Sequence, residues 1–554
     1  MYPLDAFDEE IRRILASKGI DDAKLAEAPE GRGDRAFACF SHAKARGISP
    51  KELAERLEAE VKAEKRSMIK DCRAEGGYLN FFVDESLLAE KLFRAVRELG
   101  DDFGRGERKE EKVLLEHTSA NPTGPLHVGR ARNPIIGDTL ARILRFDGYE
   151  VKTEYYVDDA GMQVAMLAWG VKNFETGEEK KGDHRLVKCY QQAAKLKEED
   201  PRVEEEIRNL LRRYESGDED AAREIESAYK QVLSGIIESL EGISVHVDSF
   251  VHESKFLRNG DVERVIEMLR PYAQEKEGAL CIDLKPYGID DLFFLTRADG
   301  TTLYATRDIA YHLDKFSRCD IAINILGEDH KLESKSLSVA LSLMGQKVPE
   351  VIFYAFISLP EGKMSTRKER VVYLDDLVEE AVARAREEVL KRRGDLEEED
   401  VSRISRAIGA GAVRYNIVKV QAGKQIKFRW EEALSLEGNS APFLQYSYAR
   451  AKSILRKAGE HGLPEALRID GERGLLKSIA EFPSTVDEAS KQRAPHMLAE
   501  YLLTLASEFN LFYKNCPVLN AGVEREQRLL LVEAFAQTMR NGLGLLGVEP
   551  LEEM

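Results

Sequence analysis

The sequence predicts an α/β protein whose central domain is a doubly wound parallel sheet, preceded by a small α+β domain and followed by an all-helical one. Three observations predict this. Residues 109 to about 360 alternate short apolar strand patterns with helical ones. Residues 1 to about 108 combine one strand pattern with two amphipathic helices. Residues 401–554 carry helical spacing alone. A chain of 554 residues has room for about three or four domains.

Within residues 1–108, Pro50 opens a helix with Leu53, Leu57 and Val61 on one face. Gly76-Gly77 breaks the chain, and Tyr78, Phe81 and Val83 suggest a strand. A second helix follows with Leu88, Leu92, Val96 and Leu99, and Gly100 to Lys112 reads as a linker. In the central domain Val113 to Leu115 is an apolar run and Arg132 to Phe146 an amphipathic helix. Pro134 falls inside that helix, which predicts a late start or a kink. Val151, Thr153, Tyr155 and Val157 alternate as a strand, with further strands expected at Ala279–Leu284, Ile321–Leu326 and Val351–Leu359. The charged, Gly-poor stretch from about 175 to 241 reads as a helical insertion without chemistry of its own. Residues 361 to about 400 form a bridge. Beyond it, Ile404, Ile408, Ala412 and Tyr415 share one helix face. Leu444, Tyr448, Ala451 and Leu455 share another, and Leu498, Leu502, Leu505, Phe509 and Phe512 a third.

Composition excludes several classes. Hydrophobic content is 43%, and no apolar run reaches the ~20 residues that span a bilayer. The start of the chain is acidic and lacks a basic-then-apolar signal pattern, so a cytoplasmic protein without membrane contact is expected. Six cysteines stand at 39, 72, 189, 281, 319 and 516 with no Cys-x-x-Cys pair, so neither zinc nor a disulfide framework is expected. A formal charge of −17 leaves a polyanionic partner only a local basic face.

Two segments carry the chemistry. Glu116-His-Thr-Ser-Ala-Asn-Pro-Thr-Gly-Pro-Leu-His-Val-Gly-Arg130 runs from a strand through a polar turn into a helix. The first N–H groups of a helix lack internal partners and face a positive dipole end, which suits an anion. His127 adds an imidazole there, and Gly129 lets a flat ligand approach the backbone. Glu361-Gly-Lys-Met-Ser-Thr-Arg-Lys368 follows a second apolar run and sets Lys363, Arg367 and Lys368 beside the hydroxyls of Ser365 and Thr366. Each segment alone is an ordinary turn. Together they are suited to a triphosphate, because positioned cations stabilise charge developing during attack on phosphorus. No Ser/His/Asp or Cys/His arrangement for an enzyme nucleophile is evident.

In these two segments the chain resembles the class I aminoacyl-tRNA synthetases. His127-Val-Gly-Arg130 is similar to the first signature of that class and Lys363-Met-Ser-Thr-Arg367 to the second. Within the class it most resembles the arginyl-tRNA synthetases, over essentially its whole length. Asn121-Pro-Thr-Gly-Pro125, Val157-Asp-Asp-Ala-Gly-Met-Gln163, His252-Glu-Ser254, Tyr304-Ala-Thr-Arg-Asp308 and Leu444-Gln-Tyr-Ser-Tyr-Ala-Arg450 all fit. Arg130 departs from the usual His, and Thr366-Arg367 from the usual Lys-Ser.

The resemblance implies a Rossmann-type catalytic domain over 109–360 and an anticodon-binding domain over 401–554. It implies ligation of L-arginine to tRNA with ATP and Mg²⁺, by a monomer, with no tightly bound cofactor. It places His127, Gly129, Arg130, Lys363, Met364, Ser365 and Arg367 at the nucleotide. It places Glu116, Ser119, Asn121, Glu253, Tyr304 and Asp308 at the amino acid. It also places Arg32, Arg35, Gln445, Tyr446 and Arg450 at the tRNA. Two carboxylates and a phenol suit a planar guanidinium with five donors. Glu328 stands where the family often has Gln, and neither it nor Gln163 takes a role. Ligation of another amino acid and a catalytically inactive tRNA-binding relative are the alternative readings.

Overall fold

The computed structural model describes residues 2–29, 31–358, 372–464, 466–467, 469 and 471–554. Five parallel strands form the central sheet: β1 (Lys112–Glu116), β2 (Glu150–Val157), β3 (Ser249–His252), β4 (Ile321–Gly327) and β5 (Glu350–Tyr354), in the order β5-β4-β1-β2-β3. The central strand β1 is buried on both faces, as expected for a parallel sheet. Val113 and Leu115 pack with Ile136, Leu140 and Leu144 of helix α1 (Arg132–Phe146), while Leu114 meets Cys319 and Ala322 on the other face. The chain runs from β1 through β2 to β3 on one side, then returns to β4 and β5 on the other. The switch therefore lies at the carboxyl end of β1, where open α/β sheets bind ligands.

Pro134 is the third residue of α1, within the first turn, where its missing N–H breaks no internal bond. A short 3₁₀ turn, Val128–Arg130, precedes the helix. The insertion is three helices, Gly182–Glu199, Pro201–Glu215 and Glu219–Gly242.

Two strand expectations are corrected. Ala279–Asp283 lies in a separate three-stranded antiparallel sheet with Gln274–Lys276 and Leu292–Phe294. Glu277 and Gly278 both take left-handed φ, +52° and +80°, closing a two-residue hairpin between Gln274–Lys276 and Ala279–Asp283. The run from Val351 divides: Val351–Tyr354 stays in β5, whereas Ile357–Ser358 pairs with Ile426–Lys427. Leu359 lies outside the described residues.

The amino-terminal part is a four-stranded antiparallel sheet with helices Pro3–Ser17, Pro50–Lys62 and Glu85–Leu99 around it. Ser49 Oγ caps the second of these helices and Asp84 the third. This part rests on the carboxy-terminal helices, where Asp34 meets Arg473 and Lys477 and Arg97 meets Glu533.

A buried arginine joins the centre to the helical domain. Arg414, on the helix Glu398–Val418, pairs with Asp138 of α1 at 2.6 Å. It also donates to the carbonyls of Ile243, Ser244 and Leu546.

Candidate active site

The turn after β1 is held from several sides. Asn133 Oδ1 accepts from the Thr118 N–H at 2.6 Å, and its Nδ2 donates to the Ile325 carbonyl of β4 at 2.8 Å. Ser119 Oγ donates to Glu116 Oε1 at 2.8 Å and accepts from the Tyr156 N–H at 3.0 Å. These bonds hold Thr118 and Ser119 at φ of +71° and +40°, a conformation that is costly for side-chain-bearing residues.

His127 is exposed at the start of the 3₁₀ turn. Its Nδ1 accepts from the Gly129 N–H at 3.0 Å, so the ring proton sits on Nε2 and faces outward. Burial of part of the ring, then the charge of Arg130, lower its pKa, favouring the neutral donor. A Cβ on Gly129 would lie 3.0 Å from His127 Nδ1. Arg130 is exposed.

Lys363, Met364, Ser365 and Arg367 lie outside the described residues. The residues flanking them come to the His127 turn. On one side, Ile357–Ser358 packs against Val128–Arg130. On the other, the Val128 N–H donates to the Val372 carbonyl at 3.0 Å, the Leu374 N–H to the Leu126 carbonyl at 2.8 Å, and His127 bridges Tyr373.

Acidic residues gather at the carboxyl ends of β1, β2 and β3: Glu116, Asp158 with Asp159, and Glu253. Glu253 is fully buried, 3.3 Å from Arg307, and its Oε2 has no hydrogen-bond partner among the described residues. Asp159 pins the Glu253 turn by accepting from the Ser254 N–H and hydroxyl, both at 2.8 Å. Tyr304 and Asp308 stand one turn apart on helix α2 (Tyr304–Arg318). Tyr304 is 49% exposed as a residue. Its phenol is pushed up by burial, then by the negative charges of Asp308, Glu116, Glu253 and Asp158. Burial works against the Asp308 carboxylate, but His312, then Lys315 and His330, hold it below the usual range. Asn121 Nδ2 donates to Gln163 Oε1 at 2.9 Å, a partner for Gln163 that the sequence did not supply.

Of the residues expected at tRNA, Gln445 and Arg35 are held by contacts within the protein. Gln445 is fully buried, and its amide donates to the Glu549 carbonyl at 2.9 Å, so it ties the chain end to its helix. Arg35 is largely buried against Asp8 at 2.9 Å and braces the Pro3–Ser17 helix. Arg32 is exposed and pairs with Glu75 at 3.1 Å. Arg450 lies between the Tyr446 and Tyr513 rings, 4.7 and 4.9 Å from their centres, at the edge of a cavity of about 790 Å³.

Asp158, Asp159, Arg307, His312, Lys315 and Asn324 received no role from the sequence. The one available signal was the spacing 304, 308, 312 and 315, which places four polar residues on one stripe of α2. All six cysteines are buried and free. Among the described residues the grouping with metal-ligand spacing is Asp183, His184 and Asp375. There the Lys181 ammonium already pairs with Asp375 at 2.6 Å, joining the insertion to the residues after the second signature.

A parallel sheet with its switch point at β1, a histidine turn at a helix start, and the two flanks of the second signature meeting that turn fit a class I aminoacyl-tRNA synthetase. The family described as "tRNA synthetases class I (R), catalytic domain" matches residues 98–430. "Arginyl tRNA synthetase N terminal domain" matches 4–83, and "DALR anticodon binding domain" matches 444–554. The chain is 44% identical over 543 residues to an arginine–tRNA ligase of Methanocaldococcus jannaschii, covering 95% of each. It is 45% identical over 557 residues to that of Methanocella arvoryzae, covering 98% of each. The solved arginyl-tRNA synthetase of Thermus thermophilus superimposes with a TM-score of 0.85 at 30% identity, covering 99% of this chain and 100% of that one. The chain belongs to the arginyl-tRNA synthetase family. Among its described residues no helix is long and apolar enough to cross a membrane.

Proposed function

We propose that the chain joins L-arginine to an arginine-accepting tRNA through an arginyl-adenylate, releasing AMP and pyrophosphate. An acidic pocket carries this reading: Asp308 and Glu253, with the Tyr304 phenol, suit the five-donor guanidinium. A lysine ammonium, being point-like, would leave part of that array unpaired. Glu116 and Asn121, at the other end, suit the α-ammonium, and Ser119 holds Glu116 in place.

In the first step a carboxylate oxygen of arginine bonds to the α-phosphorus of ATP, and the bond from that phosphorus to the pyrophosphate oxygen breaks. In the second, a terminal ribose hydroxyl of tRNA attacks the carbonyl carbon, AMP leaves with the bonding pair, and the hydroxyl proton passes to the departing phosphate or solvent. Neither step needs an enzyme nucleophile. Positioning and charge stabilisation suffice. His127 Nε2–H and the helix start meet the phosphates, Gly129 admits the adenine, and Arg130 adds a cation at the turn. Lys363, Ser365 and Arg367 complete the clamp with Met364 against the nucleotide, and Mg²⁺ arrives with the triphosphate. The anchoring of Ser358 and Val372 beside the His127 turn supports this assignment.

For the tRNA, the cavity lined by Tyr446, Arg450, Arg456, Lys457, Tyr513 and Lys514 combines stacking surfaces with cations, as splayed bases and their phosphates require. Arg32 offers an exposed guanidinium in the amino-terminal domain. One chain carries every group named, so we take it to act as a monomer.

ATP–pyrophosphate exchange, run with each amino acid with and without tRNA, tests the reading. Exchange is expected with arginine, and only when tRNA is present, because the pocket is assembled from separate segments that tRNA can organise. Exchange with another amino acid alone sinks the substrate assignment. Strong exchange with arginine in the absence of tRNA sinks the tRNA requirement.

Glu253 supplies a pH signature. Burial, then the charge of Asp158, push its carboxyl up to about 9, with Arg307 opposing. The free pocket therefore holds this acid protonated at neutral pH, and an incoming guanidinium favours the ionised form. KM for arginine should fall between about pH 7 and 9, by at most about tenfold per unit. Glu253→Gln should flatten the wild-type slope, and a variant retaining the full slope would show that another group sets it.

A further inference from the structure

Behind the acidic pocket lies a chain of buried polar groups to which the reaction assigns no part. Lys315 is fully buried. A buried ammonium is costly unless every donor is partnered, and here each donor has a partner. Nζ pairs with Glu116 Oε2, donates to Asn324 Oδ1 at 2.9 Å, and approaches His312 Nε2 at 3.4 Å. The ammonium also sits 4.1 Å from the centre of the Tyr311 ring. Asn324 Nδ2 lies 2.8 Å from the same His312 nitrogen. Facing two donors, that nitrogen must be an acceptor, which leaves the ring proton on Nδ1. Nδ1 is 2.8 Å from the Asp308 carbonyl and 3.2 Å from its carboxylate Oδ1. The result is one continuous run: Asp308, His312, Asn324 and Lys315, Glu116.

The two ends of this run are the two carboxylates that the proposed function assigns to opposite ends of the amino acid. Both are tied to rigid elements. Asp308, His312 and Lys315 share a stripe of α2, while Glu116 and Asn324 are direct neighbours in the β1–β4 register. His312, Asn324 and Lys315 are all buried, so none is placed to touch a substrate.

We propose that His312, Asn324 and Lys315 are positioning residues that fix the separation of the Asp308 and Glu116 carboxylates and thereby select the substrate by its length. This rests on the arginine reading of the pocket. A buried network with all members satisfied has one low-energy arrangement, so the two carboxylates cannot move apart or together independently. A substrate one methylene longer or shorter then fits one end and misses the other. A purely structural ion pair would contribute to stability yet leave this discrimination untouched.

The test compares arginine with its analogues one methylene longer (homoarginine) and one shorter (2-amino-4-guanidinobutyrate), using the full chain with ATP and tRNA. Wild type should prefer arginine by about 10- to 200-fold in kcat/KM, the usual worth of one methylene. Lys315→Met removes the link to Glu116. His312→Asn keeps a donor towards Asp308 but loses the acceptor for Asn324, and it removes no charge should Lys315→Met fail to fold. Each should lower the preference at least about tenfold, chiefly through KM for the amino acid, with KM for ATP within about twofold of wild type. Folded variants that use arginine less well but keep the full preference over both analogues overturn the proposal. A wild-type chain that does not use arginine overturns the substrate reading beneath it.

Discussion

Asp308→Ala should lower kcat/KM for arginine by about 10²–10³-fold, an effect on the order of 3–4 kcal/mol, with KM for ATP little changed. The carboxylate is partly exposed, one helical turn from Tyr304 and 3.2 Å from His312 Nδ1. Its charge is held by His312, then by Lys315 and His330. Removing it leaves a guanidinium facing Glu253, which Arg307 already engages and which is protonated near neutrality. Asp308→Asn is the sharper variant, because it keeps the shape and two acceptor lone pairs but loses the charge. Steady-state aminoacylation decides: an unchanged KM and kcat for arginine in Asp308→Ala removes this residue from the pocket.

His127→Ala should slow adenylate formation by about 10²–10³-fold while leaving arginine binding nearly unaltered. Two effects combine. The Nε2–H donor aimed outward is lost, and so is the Nδ1 acceptor that holds the Gly129 N–H at 3.0 Å. His127→Asn should recover part of the rate, since its amide can still accept from Gly129. Single-turnover measurement of adenylate separates these outcomes. A rate loss confined to KM for arginine would place the imidazole at the amino acid instead of the phosphates.

Local pattern made much of this molecule legible. β1, β2 and β4 were readable as apolar or alternating runs, because a parallel strand buried on both faces has little room for polar residues. The helices bearing Leu53, Ile404, Leu444 and Leu498 were readable from their 3.6-residue period. The His127 turn was readable because a strand, a Gly-bearing turn and a helix start are adjacent in the chain. Ala279–Asp283 was assigned to the wrong sheet because strand propensity is local, whereas pairing depends on where the Glu277-Gly278 hairpin turns the chain. The packing of Gln445 and Arg35 was not readable, because polar residues look alike in sequence whether they face solvent or brace a helix.

From the order of residues alone came the class of fold and the two signature segments, which depend on residue type and short spacing, properties of the chain itself. The acids expected at a guanidinium came from the family resemblance those segments carry. Folding alone settled that Arg307 stands against Glu253 and that Lys315 joins Glu116 to His312 and Asn324. Such contacts join positions as much as 208 apart in the chain, as Glu116 and Asn324 are. Their charges take on a defined role only when burial brings them together and removes the water that would otherwise screen them.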